Sequence, residues 1–180
     1  MTLDGSSQAT AVVGGTVSLT REFIREQVGI SSPSAALLKA AVINGAIDLG
    51  APDIPNSAEG WGQINLERTI LPMDGSIHLQ TFVDDARVLN AGYSTVYSFE
   101  LDASHGIDLT LAWTDVAGSA NDDQNNSRLV NDLDLLLISP DGTVYKGNVI
   151  FNGESVPNGV SDSINNIERI RIAAGSIATS

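Results

Sequence analysis

The sequence predicts an α+β chain in which two helices precede an antiparallel β-sandwich of jelly-roll type. Three observations predict it. Apolar residues recur at helical spacing up to about residue 45. Beyond Pro72 the period changes to two. Turn residues such as Pro140-Asp141-Gly142 then separate short alternating segments.

In the first helix, Ser6 or Ser7 is the expected cap and the run ends near Gln27. Ala9, Val12, Val13, Val17, Phe23, Ile24 and Val28 recur along it. Its first half is built from small residues, Gly14 and Gly15 among them. Each of those glycines costs about 1 kcal/mol relative to Ala inside a helix. They suit a helix that another backbone approaches closely, so its start is expected to be buried. Arg21, Glu22, Arg25 and Glu26 predict a solvated second half. For the second helix Ser32 is the expected cap, Pro33 the first position and Asn44-Gly45 the end. Its residues leave almost no polar face, which places it in the interior of something larger.

Strands are expected over 93–101, where Tyr93, Thr95, Tyr97, Phe99 and Leu101 alternate with smaller or polar residues, and over 107–113. Others are expected at 77–83, 130–138, 143–147 and 166–172. The domain boundary is placed after residue 74, giving units 1–74 and 75–180. The first carries eight acids against four bases, the second fourteen against five.

The formal net charge of −13 argues against nucleic acid as a partner, because phosphates require Lys and Arg to displace counterions. It also argues against an anionic membrane surface. No apolar run approaches the roughly 20 residues of a membrane span. The absence of cysteine excludes disulfides, cysteine-ligated zinc and thiol catalysis.

Ser7 is the candidate nucleophile. At a helix start, free N–H groups and the helix dipole favour developing negative charge, as on the oxyanion of acyl transfer. A plain helix cap is the competing reading of the same serine. Gly5-Ser6-Ser7-Gln8-Ala9-Thr10 resembles the Gly-Thr-Ser-Met-Ala-Thr nucleophile segment of subtilisin-like serine proteases. Gln8 stands where the family has Met, and Ala11 where it has Pro. Downstream, residues 33–46 are similar to the family's second buried helix. Gly60-Trp61-Gly62-Gln63-Ile64-Asn65 resembles the turn ending its catalytic domain. Trp113-Thr114-Asp115, Leu129 to Leu135 and Ser139 to Thr143 are similar to the C-terminal β-barrel of large bacterial alkaline proteases.

The resemblance implies that residues 1–74 form the end of a subtilisin-like catalytic domain and that 75–180 form a truncated jelly-roll accessory domain. It implies a secreted parent acting on polypeptide substrates, with Ser7 as nucleophile. The family's Asp and His segments precede the nucleophile by a long way, and six residues precede Ser7 here. His78 and His105 lie in the strand-rich half, outside any His-Gly-Thr context. The chain alone is therefore expected to be inactive, for want of a general base. Met1-Thr2-Leu3-Asp4 carries no signal-peptide pattern, so the parent is expected to begin upstream. Missing closing strands and the apolar helix predict exposed edges through which copies associate.

The segment from Asp115 to Asp134 is rich in oxygen donors, including Asp122, Asp123, Asp132 and several Asn. Asp115, Asp132 and Asp134 are the candidate metal ligands, for calcium, which the resembling proteases bind. A solvated acidic loop beside Arg128 is the alternative. The other overall reading is a non-enzymatic, calcium-stabilised β-sandwich module in which Ser7 is only a cap.

Overall fold

The computed structural model describes residues 5–71, 73–74, 77–78, 80–102, 104–119 and 127–177, the side chains at 73, 74, 77 and 78 excepted. Helix α1 spans Ser6–Phe23 and passes into a π-helical turn, Ile24–Val28, closed by Gly29 at φ 85°. The cap is Gly5, not Ser6 or Ser7. Its backbone sits at φ 153°, ψ 155°, a region open to glycine alone without strain, and no side chain caps the helix.

The expected burial of α1 is reversed. Residues 6–15 are exposed, and burial begins with Thr16, Thr20 and Ile24. Those three lie at i, i+4 and i+8, a single stripe on a helix that packs against α2 and α3. Gly14 and Gly15 look onto open space: a Cβ on either would meet nothing within 4 Å.

Helix α2 spans Ala35–Asn44. Its cap is Ser34, not Ser32; the Ser34 hydroxyl accepts the Leu37 N–H at 3.0 Å, and Pro33 is buried just before it. Gly45 follows at φ −82°, so no left-handed turn calls for glycine there. The need is spatial, since a Cβ at Gly45 would meet the Thr69 backbone nitrogen at 2.7 Å. Only Leu38 of α2 is fully buried. Helix α3, Leu66–Ile70, is capped by Asn65, which accepts the Arg68 N–H at 2.8 Å.

Among the described residues seven strands follow: β1 Met73–Asp74, β2 Ile77–His78, β3 Ile107–Ala112, β4 Leu136–Ile138, β5 Val144–Phe151, β6 Glu154–Pro157 and β7 Ile167–Ile172. All pairings are antiparallel: β1 with β2, β3 with β7, and β5 between β4 and β6. The α+β class holds, and among the described residues the strands do not close into a barrel. The β4–β5 turn is the expected one. Asp141 accepts from the Ser139 hydroxyl at 2.5 Å and from the Thr143 N–H at 3.0 Å, with Gly142 at φ 84°.

The strand expected over 93–101 does not form. Those residues are exposed and join no ladder. Tyr97 and Phe99 instead cluster with Phe82, at centroid distances of 5.1 and 5.2 Å from it, and Tyr97 donates to Asp84. The segment expected over 130–138 shortens to β4, so Asp132 and Asp134 lie in irregular chain, not on a strand. Strand β6 carries Ser155 and Pro157 and follows Gly153, which hid it from any pattern of alternation.

The core gathers on β7. Ile170 is 0% exposed, with Ile167 and Ile172 buried beside it. Helix α2 packs against β3, and β5 and β6 pack against β7. The contact between helix and sheet is partly polar: Arg169, buried, donates to the Asn44 carbonyl at 3.0 Å and to Asp108 at 3.1 Å. A cation there also meets the negative end of α2.

Candidate functional site

Ser7 sits exposed in the first turn of α1. The Gly5 carbonyl accepts the N–H groups of Gln8 and Ala9, at 3.2 and 3.3 Å. The N–H groups of Ser6 and Ser7 precede the first helical bond and point out of the helix start. Ser7 thus combines an accessible hydroxyl with backbone donors that have no acceptor among the described residues. Among the described residues its hydroxyl has no side-chain partner, so no base stands ready to take its proton.

A cleft of about 390 Å³ runs beside this helix, lined by Ala9, Val12 and Val13 of α1, Val42 and Ile43 of α2, and Trp61. Val12 is 58% exposed in it. The cleft is apolar and flanks the first turns of α1.

The two histidines are far from Ser7 in sequence and different in setting. His78 lies in β2, with its side chain outside the description. His105 occupies a turn with Ser104 and Asp102, a combination that invites comparison with a catalytic triad. The geometry refuses it. The Ser104 hydroxyl lies 3.0 Å from His105 Nδ1, and the Asp102 carboxylate lies 3.6 Å from the same nitrogen. A triad requires Asp on one ring nitrogen and Ser on the other. The Ser104 hydroxyl, its backbone N–H and the nearby His105 hold the Asp102 carboxyl below its usual range.

The three candidate metal ligands have different surroundings. Asp115 accepts the N–H groups of Val116, Val130 and Asn131, at 2.9, 2.7 and 3.1 Å, and the Asn131 side chain at 2.8 Å. Desolvation alone would raise its pKa, and these bonds outweigh that and lower it. Asp115 organises the junction of 115–131. Asp132 and Asp134 are exposed. Asp122 and Asp123 lie outside the described residues.

Sequence reasoning missed Glu168, which faces Asp132 and Asp134. Glu168 is 1% exposed, on a strand that also carries Arg169 and Arg171. One of its oxygens accepts the Leu135 N–H at 2.5 Å and the other has no partner among the described residues. Burial, with the charges of Asp134, Asp162 and Asp132, pushes its pKa up to about 7. The visible signal was an acid among isoleucines at Ile167-Glu168-Arg169-Ile170.

A second acidic group, also missed, joins Asp48, Asp53 and Glu59, with one oxygen of each within 4.8 Å of the others. A neutral donor already stands among them. Asn56 Nδ2 donates to Asp53 at 2.8 Å and to Glu59 at 3.0 Å, while Asp48 accepts the Asp53 N–H at 3.1 Å. The Asn56 amide relieves part of the repulsion that a cation would otherwise relieve.

Comparison with known proteins finds one informative similarity. The chain is 33% identical, over 186 aligned residues, to the serine protease/ABC transporter B family protein tagA of Dictyostelium discoideum. The match takes in 94% of this chain, which spans 10% of the length of that protein. No family model matches the chain, and no solved structure does.

Proposed function

We propose that the chain is part of a subtilisin-like serine endopeptidase, with residues 1–74 closing its catalytic domain and 75–180 forming a β-rich accessory domain. The observation that carries this is the setting of Ser7: an exposed hydroxyl in the first turn of an 18-residue helix, behind a glycine cap, with backbone donors that have no acceptor among the described residues. The order of similar segments downstream and the name of the Dictyostelium relative support the same reading. In the complete enzyme Ser7 attacks the scissile peptide carbonyl, and its own N–H helps hold the oxyanion. The general base and the residue orienting it come from segments beyond this chain, and the parent acts outside the cell. By itself the chain does not hydrolyse peptides.

The test is the protein encoded together with its upstream reading frame. That protein should contain Asp-Thr-Gly-like and His-Gly-Thr-like segments, and should cleave an unstructured polypeptide. Ser7→Ala should reduce kcat by about a millionfold. Cleavage that survives Ser7→Ala would overturn the assignment.

Calcium belongs to the same proposal. The charges of Asp132 and Asp134, exposed and two residues apart, raise the pKa of buried Glu168, and a hard cation would relieve that negative charge. This donor set is all oxygen, which suits calcium over zinc.

A further inference from the structure

The β3–β7 sheet has one finished edge and one open edge. On β7 the outward N–H groups are taken by side chains: Arg169 donates to Asn148 at 2.9 Å and Arg171 to Ser155 at 3.0 Å. Since residues 169 and 171 face out, the β7 residues that bond to β3 are 168, 170 and 172. Their partners in register are Leu111, Leu109 and Ile107. The outward N–H groups of β3 therefore belong to Asp108, Thr110 and Ala112. Among the described residues none of these three has a backbone acceptor on that side.

Helix α2 of the same chain lies over one face of this sheet, where Thr110 of β3 and Arg169 of β7 both bond Asn44. Asn44, at the end of α2, accepts from Thr110 at 2.7 Å. Lys39, earlier in α2, reaches Asn166, which in turn donates to the Trp113 carbonyl. Helix α2 thus runs antiparallel to β3, and its first residues lie beyond the Trp113 end. Asp85 is tied there, accepting from the Ser34 N–H at 2.9 Å and from the Ser34 hydroxyl at 2.5 Å. At the other end, a turn closed by the His105 N–H on the Asp102 carbonyl leads straight into Ile107. The chain from 85 to 106 is therefore pinned at both ends of β3 and travels opposite to it.

Between the pins lies a run with strand character. Tyr93, Thr95, Tyr97, Phe99 and Leu101 are β-favouring residues at alternate positions, yet the segment joins no ladder and Val96 is 82% exposed. The geometry points to a conformational device: residues 93–101 form a strap that closes as an antiparallel strand on the outer edge of β3 of the same chain. Closure satisfies the three outward N–H groups and turns a two-stranded sheet into a three-stranded one. It also removes an edge on which other chains could add. The bonds of Asp84 to Tyr97 and Arg87, with the Phe82 cluster, hold the open form.

Residue-resolved hydrogen exchange on the full chain tests this. Amides of Asp108, Thr110 and Ala112 should exchange at least about tenfold more slowly than unpaired amides. Thr95→Pro and Val96→Pro remove adjacent donors from the strap, so one of them breaks its ladder in either register. One of the two should restore fast exchange at 108, 110 and 112 while Ile170 and Ile172 stay protected. Should a variant lose protection at Ile170, the amides of the unmodified chain decide. Fast exchange there overturns the proposal, as does protection that persists in both proline variants. Protection that grows with protein concentration, together with a doubled mass, also overturns it, because the strand then comes from another copy.

Discussion

The side-chain amide of Asn148 does the work of a neighbouring strand for Arg169. Its oxygen accepts the Arg169 N–H at 2.9 Å, and its nitrogen donates to the Ile167 carbonyl at 2.8 Å and to Asp162 at 2.6 Å. To reach that position Asn148 adopts φ 60°, a left-handed conformation that Asn tolerates better than most residues. A side chain of β5 thereby closes the edge of the sheet that holds the core.

Asn148→Ala removes all three bonds and strains the backbone. Urea unfolding should show a loss of roughly 3 kcal/mol. Asn148→Gly keeps the backbone relaxed while losing the bonds, so it should fall between the two. A loss below about 0.5 kcal/mol in both would show that the edge closure contributes nothing.

Glu168 makes stability depend on pH in the direction opposite to most carboxyls. Its folded pKa, about 7, stands above the ordinary 4.5, so the folded state binds the proton more tightly. Its contribution is complete below pH 4.5 and is lost as pH rises through 7. Glu168→Gln should therefore be more stable than the unmodified chain at pH 8, by on the order of 2 kcal/mol, and similar to it at pH 4. Thermal melts in a chelator across that range check the sign.

Millimolar calcium should raise the melting temperature by several degrees, and Asp134→Asn should remove most of that shift. A melting temperature indifferent to calcium would exclude a site on this acidic segment.

In the isolated chain a fluorophosphonate probe should leave Ser7 unlabelled. Mass spectrometry of the treated protein reads this directly. Labelling would mean that a base reaches the hydroxyl after all.

Gly14 and Gly15 face open space, so Ala at either position meets no neighbour. Each substitution should stabilise the isolated chain by up to about 1 kcal/mol, read by chemical denaturation. In the longer protein proposed above, the same changes should reduce activity where a second backbone packs on that face.

Much of this was legible in the sequence. Periodicity located both long helices and the strands at 107–112 and 167–172, although burial does not follow the pattern: β3 is half-buried throughout and β7 buries Glu168 and Arg169. The failures share a cause. Ser32 and Ser34 are equally good caps on paper, and the bond from Asp85, fifty-one residues away, fixes the helix start at Ser34. The alternation at 93–101 is strand-like, but its rings cluster with Phe82 and the segment joins no ladder. An acid among isoleucines stood out at Glu168, but the groups that raise its pKa come from 132–134 and 162, and nothing local marks that convergence. Ser7 was found from its resemblance, and the glycine cap that presents it was read as part of the motif without its geometric role.

The turn at Asp102, Ser104 and His105 carries a lesson for recognising hydrolases by proximity. A search for Ser, His and Asp within a few ångströms of one another would select it. Both neighbours compete for one nitrogen, so a proton handed over by one has no onward route through the ring to the other. The turn is a dead end for proton relay, whatever its inventory of side chains.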